Sequence, residues 1–198
     1  MAHYFENDDT LKSEIQKNDV IINNQKFVFY TDNGIFSKKG LDFGTRSLLE
    51  TLSINEIRGK VLDFGCGYGP IGIYIAHETD AEVHMIDINR RSLELARKNA
   101  STNHVNVQIY ESNLYENVKD KFDFIISNPP IRVGKKILYQ ILQEAKQYLK
   151  PNGELWIVIH KDQGAKSTME FLKQFYTVEL KHKNKGFYII RGKLNEII

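Results

Sequence analysis

Apolar and polar positions recur along this chain with two different periods, and the switches between them mark out its elements. Val20-Ile21-Ile22, then Asn23-Asn24, then Lys26-Phe27-Val28-Phe29-Tyr30 reads as a β-hairpin over 20–30. Leu48, Leu49 and Leu52, behind Asp42 as a candidate N-cap, predict a helix over 42–52. From residue 60 the pattern becomes regular. Lys60 to Phe64 is a short strand, followed by a glycine turn and a helix through Ile71, Ile75 and Ala76. A second core strand over 82–87 precedes a helix capped by Asn89, in which Leu93, Leu95, Ala96 and Ala100 recur. Further strands follow at 106–110 and 122–126. Ile137, Leu138, Ile141, Leu142, Ala145 and Leu149 keep helical spacing over 135–150. Pro151-Asn152-Gly153 then turns the chain into a strand at 155–159. A helix over 165–176 leads to two final strands, 178–183 and 186–191.

Strands alternating with helices of this length demand a mostly parallel sheet covered on both faces. The last two strands are joined only by Asn184-Lys185, too short for a parallel crossover, so they pair antiparallel. The expected fold is α/β: a seven-stranded, mostly parallel sheet with a C-terminal antiparallel hairpin, preceded by a small β-hairpin. The polar, aperiodic residues 1–19 read as a flexible arm. Residues 20–198 read as one domain, with its core over 42–198, as a 198-residue chain suggests.

The single cysteine, Cys66, excludes an internal disulfide and fits a reducing compartment. No apolar run is long enough to span a bilayer, and Met1-Ala2-His3-Tyr4-Phe5-Glu6 lacks the pattern of a signal peptide. A cytoplasmic protein without membrane partners is the expectation. The net charge of +2 says little, but its distribution says more. Lys181, Lys183, Lys185, Arg191 and Lys193 have no acid among them, and Arg132, Lys135 and Lys136 follow Asn128-Pro129-Pro130.

The first chemical constellation is Asp63-Phe64-Gly65-Cys66-Gly67-Tyr68-Gly69-Pro70, between a strand and a helix. Gly65 and Gly67 let the backbone turn tightly and approach a ligand, and Pro70 opens the helix where its missing N–H costs nothing. The next strand ends in Asp87, a carboxylate placed to accept from two vicinal ribose hydroxyls. The spacing Gly-x-Gly-x-Gly differs from the Gly-x-Gly-x-x-Gly of pyrophosphate-binding turns. Asp63 adds a negative charge that repels a pyrophosphate and suits a sulfonium and an ammonium.

These residues resemble motif one of the class I, Rossmann-like methyltransferases. The resemblance implies S-adenosylmethionine as cofactor: its methionine portion near Gly65, Gly67 and Gly69, its ribose at Asp87, and its adenine against Ile88, Asn113 and Leu114. Many relatives carry Asp where Asn113 stands, and an amide oxygen still accepts from an amino group.

The second constellation is Ser127-Asn128-Pro129-Pro130-Ile131, at the carboxyl end of the fourth core strand. Ligands of open α/β sheets gather there, beside the first strand. An exocyclic amine on a nucleobase is planar and a poor nucleophile. The Asn128 side-chain oxygen and the Pro129 carbonyl are each suited to accept one of its N–H groups and aim its lone pair, while Pro129 and Pro130 stiffen the loop. Asn-Pro-Pro-(Tyr/Phe) is familiar from amino-methyltransferases; Ile131 removes the aromatic ring and makes an adenine-N6 DNA enzyme a poorer fit.

Over about residues 27–190 the chain resembles the catalytic half of the RsmC-like small-subunit ribosomal RNA guanine-N2 methyltransferases, in a single-domain form. The residues that carry this are Asn33-Gly34-Ile35-Phe36-Ser37, Leu41-Asp42-Phe43-Gly44-Thr45-Arg46, Val61 to Gly72, and Asn128 to Arg132. The resemblance implies that Phe36 borders the cofactor. It also implies a ribosomal RNA or small-ribosomal-subunit substrate, met by Ile131, Arg132, Lys135 and Lys136, with no metal. Two alternatives stay open: a protein glutamine-N5 methyltransferase, and a non-catalytic cofactor-binding ribosome-assembly protein.

Overall fold

The computed structural model describes residues 12–32 and 40–195. Phe36 and the rest of Asn33-Gly34-Ile35-Phe36-Ser37 lie outside them.

Seven strands form one sheet: β3 (Lys60–Phe64), β4 (Glu82–Asp87), β5 (Gln108–Glu111), β6 (Phe122–Ser127), β7 (Leu149–His160), β8 (Tyr176–Asn184) and β9 (Phe187–Leu194). Their order is β5-β4-β3-β6-β7-β9-β8, parallel from β5 to β7, with β9 antiparallel to both of its neighbours. Alternate strand residues serve two cores, because successive side chains leave a strand on opposite faces. On one face Val61, Ile126, Trp156 and Val158 pack with α1 (Phe43–Thr51), α2 (Pro70–Glu78) and α3 (Arg90–Thr102). On the other, Leu62, Ile125, Leu155 and Ile157 pack with α4 (Lys135–Glu144) and α5 (Ala165–Leu172). Two expected caps are present: Asp42 accepts from Thr45 N and Asn89 from Ser92 N, each at 3.0 Å.

The hairpin is longer than its apolar pattern suggested. β1 (Ile15–Ile22) and β2 (Gln25–Asp32) pair from Ile15↔Asp32 to Ile22↔Gln25, so pairing reaches into the expected arm over 1–19. Most of β1 is exposed, which leaves no period-two signal; Ser13 Oγ and Glu14 N both donate to the Asp32 carboxylate at 2.9 Å and hold its start. The helix expected to reach residue 150 ends at Glu144, and a 3-10 turn over 145–148 delivers Leu149 directly into β7. Pro151-Asn152-Gly153 is therefore a bulge inside a strand, with Asn152 at φ 63°, as Phe122 pairs with Leu149 and Phe124 with Glu154. The helix expected over 165–176 stops at Leu172, and Tyr176, buried with its hydroxyl donating to Leu142 O at 2.8 Å, begins β8.

Two asparagines attach the hairpin to the domain. The side-chain amide of Asn99 accepts from Tyr30 N at 2.7 Å and donates to Tyr30 O at 3.0 Å; Asn103 does the same for Val28 at 3.0 and 2.8 Å. Four residues of helix rise about 6 Å and two of strand about 6.6 Å, so α3 presents amides in register with the β2 edge. Asn99, fully buried, also donates to Tyr68 O at 2.8 Å, joining hairpin, helix and glycine turn. Asn99→Ala leaves three backbone groups without their partner, and a loss of about 3 kcal/mol is expected in urea unfolding. A loss below about 1 kcal/mol would show that the amide is dispensable.

Candidate active site

β3 and β6 lie side by side and parallel, with Asp63 paired to Ile126, so the chain leaves both strands at the same edge. The Ser127 hydroxyl donates to Phe64 O at 2.8 Å and pins the two strand ends together, bringing Gly65 and Asn128 to neighbouring positions. Nothing in the alternating pattern singled out Ser127; its sign is a lone hydroxyl closing an apolar strand.

The glycine turn is held by Cys66 N donating to Ile86 O at 2.8 Å and Gly69 N to Cys66 O at 3.0 Å. Gly65 and Gly67 have φ of 66° and 56°, and a Cβ on either would meet nothing of the protein within 4 Å. They keep a concavity clear. Gly69 is different: at φ 101° it caps α2, and a Cβ there would meet Met85 Cε at 2.7 Å inside the core. Packing sets the need for glycine at 69, whereas at 65 and 67 it is open space.

Asp87, at the end of β4, accepts from Gly67 N at 2.9 Å through one oxygen and from Asn89 N at 2.8 Å through the other. Burial pushes its pKa up, and the backbone N–H groups of Asn89, Gly67 and Ile88 pull it back. Asp63 is fully buried, not a charge at the surface of the turn. Its Oδ2 accepts from Gly72 N at 2.9 Å, while Oδ1 has no partner. Desolvation raises its pKa to about 7, against the Gly72 hydrogen bond and with help from the Asp87 charge.

A pocket opens between these elements, lined by Phe64, Gly65, Ile86, Asp87, Ile88, Ser112, Leu114, Pro130 and Ile141. Of the expected adenine neighbours, Ile88 and Leu114 are on its wall, and exposed Asn113 is not among the lining residues. Ser112 and Ile141 were not foreseen. Ser112 is fixed by its hydroxyl donating to Leu114 O at 2.9 Å, and Ile141 arrives from α4, far away in sequence.

Asn128 is half-buried, and its amide nitrogen donates to Thr45 Oγ1 at 3.0 Å and Asp42 Oδ2 at 3.4 Å. Ile131 packs partly buried against the second core, while Arg132, Lys135 and Lys136 are exposed at the entrance to α4. The C-terminal basic run is split by the fold. The β8–β9 turn reaches the edge at which β3 and β6 end, where Asn184 Nδ2 donates to Ser47 Oγ at 3.3 Å and Lys185 Nζ lies 4.8 Å from the Phe43 ring centre. Lys193 pairs with Glu154 and Thr177 at the opposite end, and Arg191 is bound by Glu154 and Glu179. Among the described residues no three His, Cys, Asp or Glu side chains gather as metal ligands, and no helix is long and apolar enough to cross a membrane.

The profile of the methyltransferase small domain matches residues 26–191. This chain belongs to that family. A Bacillus subtilis protein, YbxB, is 44% identical over 196 residues, covering 96% of this chain and 98% of its own, and is described as uncharacterized. The ribosomal RNA small subunit methyltransferase C of Haemophilus influenzae is 42% identical over 139 residues, 68% of this chain, which spans 42% of that protein's length. The fold matches the Thermus thermophilus 16S rRNA N2 methyltransferase RsmC, solved with AdoMet and guanosine. Its TM-score is 0.83 at 24% identity, over 93% of this chain and 52% of that one. As in its family, the cofactor is S-adenosylmethionine, and the site suits it: an open turn, a carboxylate beside it and apolar walls.

Because folded Asp63 holds its proton up to about pH 7 and an unfolded aspartate only to about pH 4, the cofactor-free fold loses stability as pH rises between those values. Asp63→Asn keeps an acceptor for Gly72 N and removes the titration. Its stability relative to the parent is expected to improve by on the order of 4 kcal/mol from pH 4 to pH 8. A pH-independent difference would refute the buried-acid assignment.

Proposed function

We propose that this chain transfers a methyl group from S-adenosylmethionine to an exocyclic amino nitrogen, guanine N2 of small-subunit ribosomal RNA. The observation that carries this reading is the position of Asn128: a neutral amide, half-buried, one residue beyond the Ser127–Phe64 link and so beside the open turn. In this reading the backbone at Gly65 and Gly67 receives the methionine portion, and the lone pairs of Asp87 not used by Gly67 N and Asn89 N receive the ribose hydroxyls. Phe64, Ile86, Ile88 and Leu114 flank the adenine, with the Asn113 side chain outside this wall. Bound there, the cofactor supplies an electrophilic methyl group on a sulfonium.

The chain's own contribution is geometric and electrostatic. Asn128 Oδ1 and the Pro129 carbonyl each accept one N–H of the planar amine, which draws the nitrogen toward tetrahedral geometry and aims its lone pair. Both acceptors are uncharged, so no basic residue has to remove a proton first; that proton becomes acidic once the nitrogen is alkylated. Pro129 and Pro130 fix the loop, and pre-set dipoles of this kind account for a large share of rate in such sites. The RNA substrate is supported by the names of the RsmC relatives and by exposed lysines on both sides of Asn128: Lys135 and Lys136 on one flank, Lys183 and Lys185 on the other.

Asn128→Ala is expected to lower transfer of labelled methyl to undermodified small subunits by about 100-fold or more, with cofactor affinity within about threefold of the parent. Label recovered in protein in place of RNA would point to a glutamine amide substrate; cofactor binding without transfer to either would point to a non-catalytic role. Neutralising Lys183 and Lys185 together should raise KM for RNA and flatten its dependence on salt, whereas Lys193→Ala should not. Equal effects at the two ends of the sheet would refute this RNA path.

A further inference from the structure

Residue types alone do not say which end of an asparagine amide faces a substrate. The amide has a donor end and an acceptor end of nearly the same shape, and only the acceptor end serves an amine that must give up two N–H hydrogen bonds. A rotation of 180° about the last side-chain bond would present Nδ2 to that amine and repel it. Something must hold Asn128 in one orientation.

We propose that Asp42 and Thr45, at the start of α1, are positioning residues that hold the Asn128 amide with its nitrogen toward α1 and its oxygen toward the substrate amine; this rests on the function proposed above. Asn128 Nδ2 lies 3.0 Å from Thr45 Oγ1 and 3.4 Å from Asp42 Oδ2. The two partners act differently. A threonine hydroxyl both donates and accepts, so Thr45 alone satisfies either orientation. An ionised carboxylate only accepts, and turning the amide over would set Asn128 Oδ1 against Asp42 Oδ2 at that same short separation. The carboxylate therefore decides the orientation and the hydroxyl secures it.

The pair is itself held in place. Asp42 Oδ2 accepts from Thr45 N at 3.0 Å as the cap of α1, which fixes carboxylate and hydroxyl relative to each other. The helix is docked through Gly44, where a Cβ would come within 2.8 Å of the Phe187 ring, and through Ser47, whose hydroxyl accepts from Asn184. Thr45 is buried, so water does not compete freely for its hydroxyl. Asp42 thus has a cap role legible in the sequence and a second role that exists only because a loop 86 residues away meets it.

Asp42→Ser separates the two roles: serine caps helices about as well as aspartate, but its hydroxyl donates as well as accepts and no longer decides the orientation of the Asn128 amide. It is expected to lower kcat by about tenfold or more, with Kd for S-adenosylmethionine, KM for RNA and Tm close to the parent. Thr45→Val should lower kcat as well, and Thr45→Ser should restore it. In an Asn128→Ala background, Asp42→Ser should cost nothing further, because the group it positions is gone. An unchanged kcat in both Asp42→Ser and Thr45→Val, or a full loss persisting without Asn128, overturns the proposal. Orientation is also read without any substrate, as nuclear Overhauser contacts between the Asn128 side-chain amide protons and the Thr45 methyl in the labelled protein. Their presence supports the assignment and their absence refutes it. An absence of RNA methylation by the parent would instead refute the proposed substrate.

Discussion

The parallel pairing of β3 with β6 is the constraint on which the site depends. Each strand ends in a segment with its own chemistry, a turn of glycines after β3 and Asn128-Pro129-Pro130 after β6. Neither makes a site alone. Sheet order places them side by side, and the Ser127–Phe64 hydrogen bond fixes the remaining freedom at the strand ends. Parallel neighbours require crossover connections, so residues 65 to 121 must travel out and back before β6 can form. That excursion supplies β4, with Asp87, and the loop after β5, with Ser112 and Leu114, which complete the pocket.

Charge is handled sparingly around this edge. Asp63 is buried with one oxygen unsatisfied, and Asp87 is steadied by backbone N–H groups on both oxygens. Two carboxylates near each other raise each other's proton affinity, and burial does so more strongly. The acceptors proposed for the substrate amine are neutral, and the Asp42 carboxylate meets Asn128 on its nitrogen side.

The hairpin and α1 are supports for this edge and not ornaments on it. Asn99 links β2 to the glycine turn through Tyr68, and Asp42 and Thr45 link α1 to Asn128. In both places side-chain amides meet fixed hydrogen-bond partners, so orientation as well as position is specified. Main-chain pairing gives the sheet its shape; these few polar side chains set the finer alignment at its edge.

Local pattern by itself determined much of this protein. The alternation of apolar periods marked all seven core strands, and the short Asn184-Lys185 link forced an antiparallel ending, because both follow from chain geometry over a few residues. Gly65, Gly67, Asp87 and Asn128 were legible for the same reason: their chemistry and the strand ends beside them are local. What only the tertiary structure decided depends on segments far apart in sequence. Leu149 joined a strand and not a helix because its side chain is buried opposite Phe122. Asp63, read as a charge at the turn, became a buried acid because α2 folds over it. The lysine run from 181 to 193 was divided between two ends of the sheet by the β8–β9 hairpin. Ile141 reached the pocket and Asp42 reached Asn128 for one physical reason: long-range packing chooses neighbours that no local period encodes.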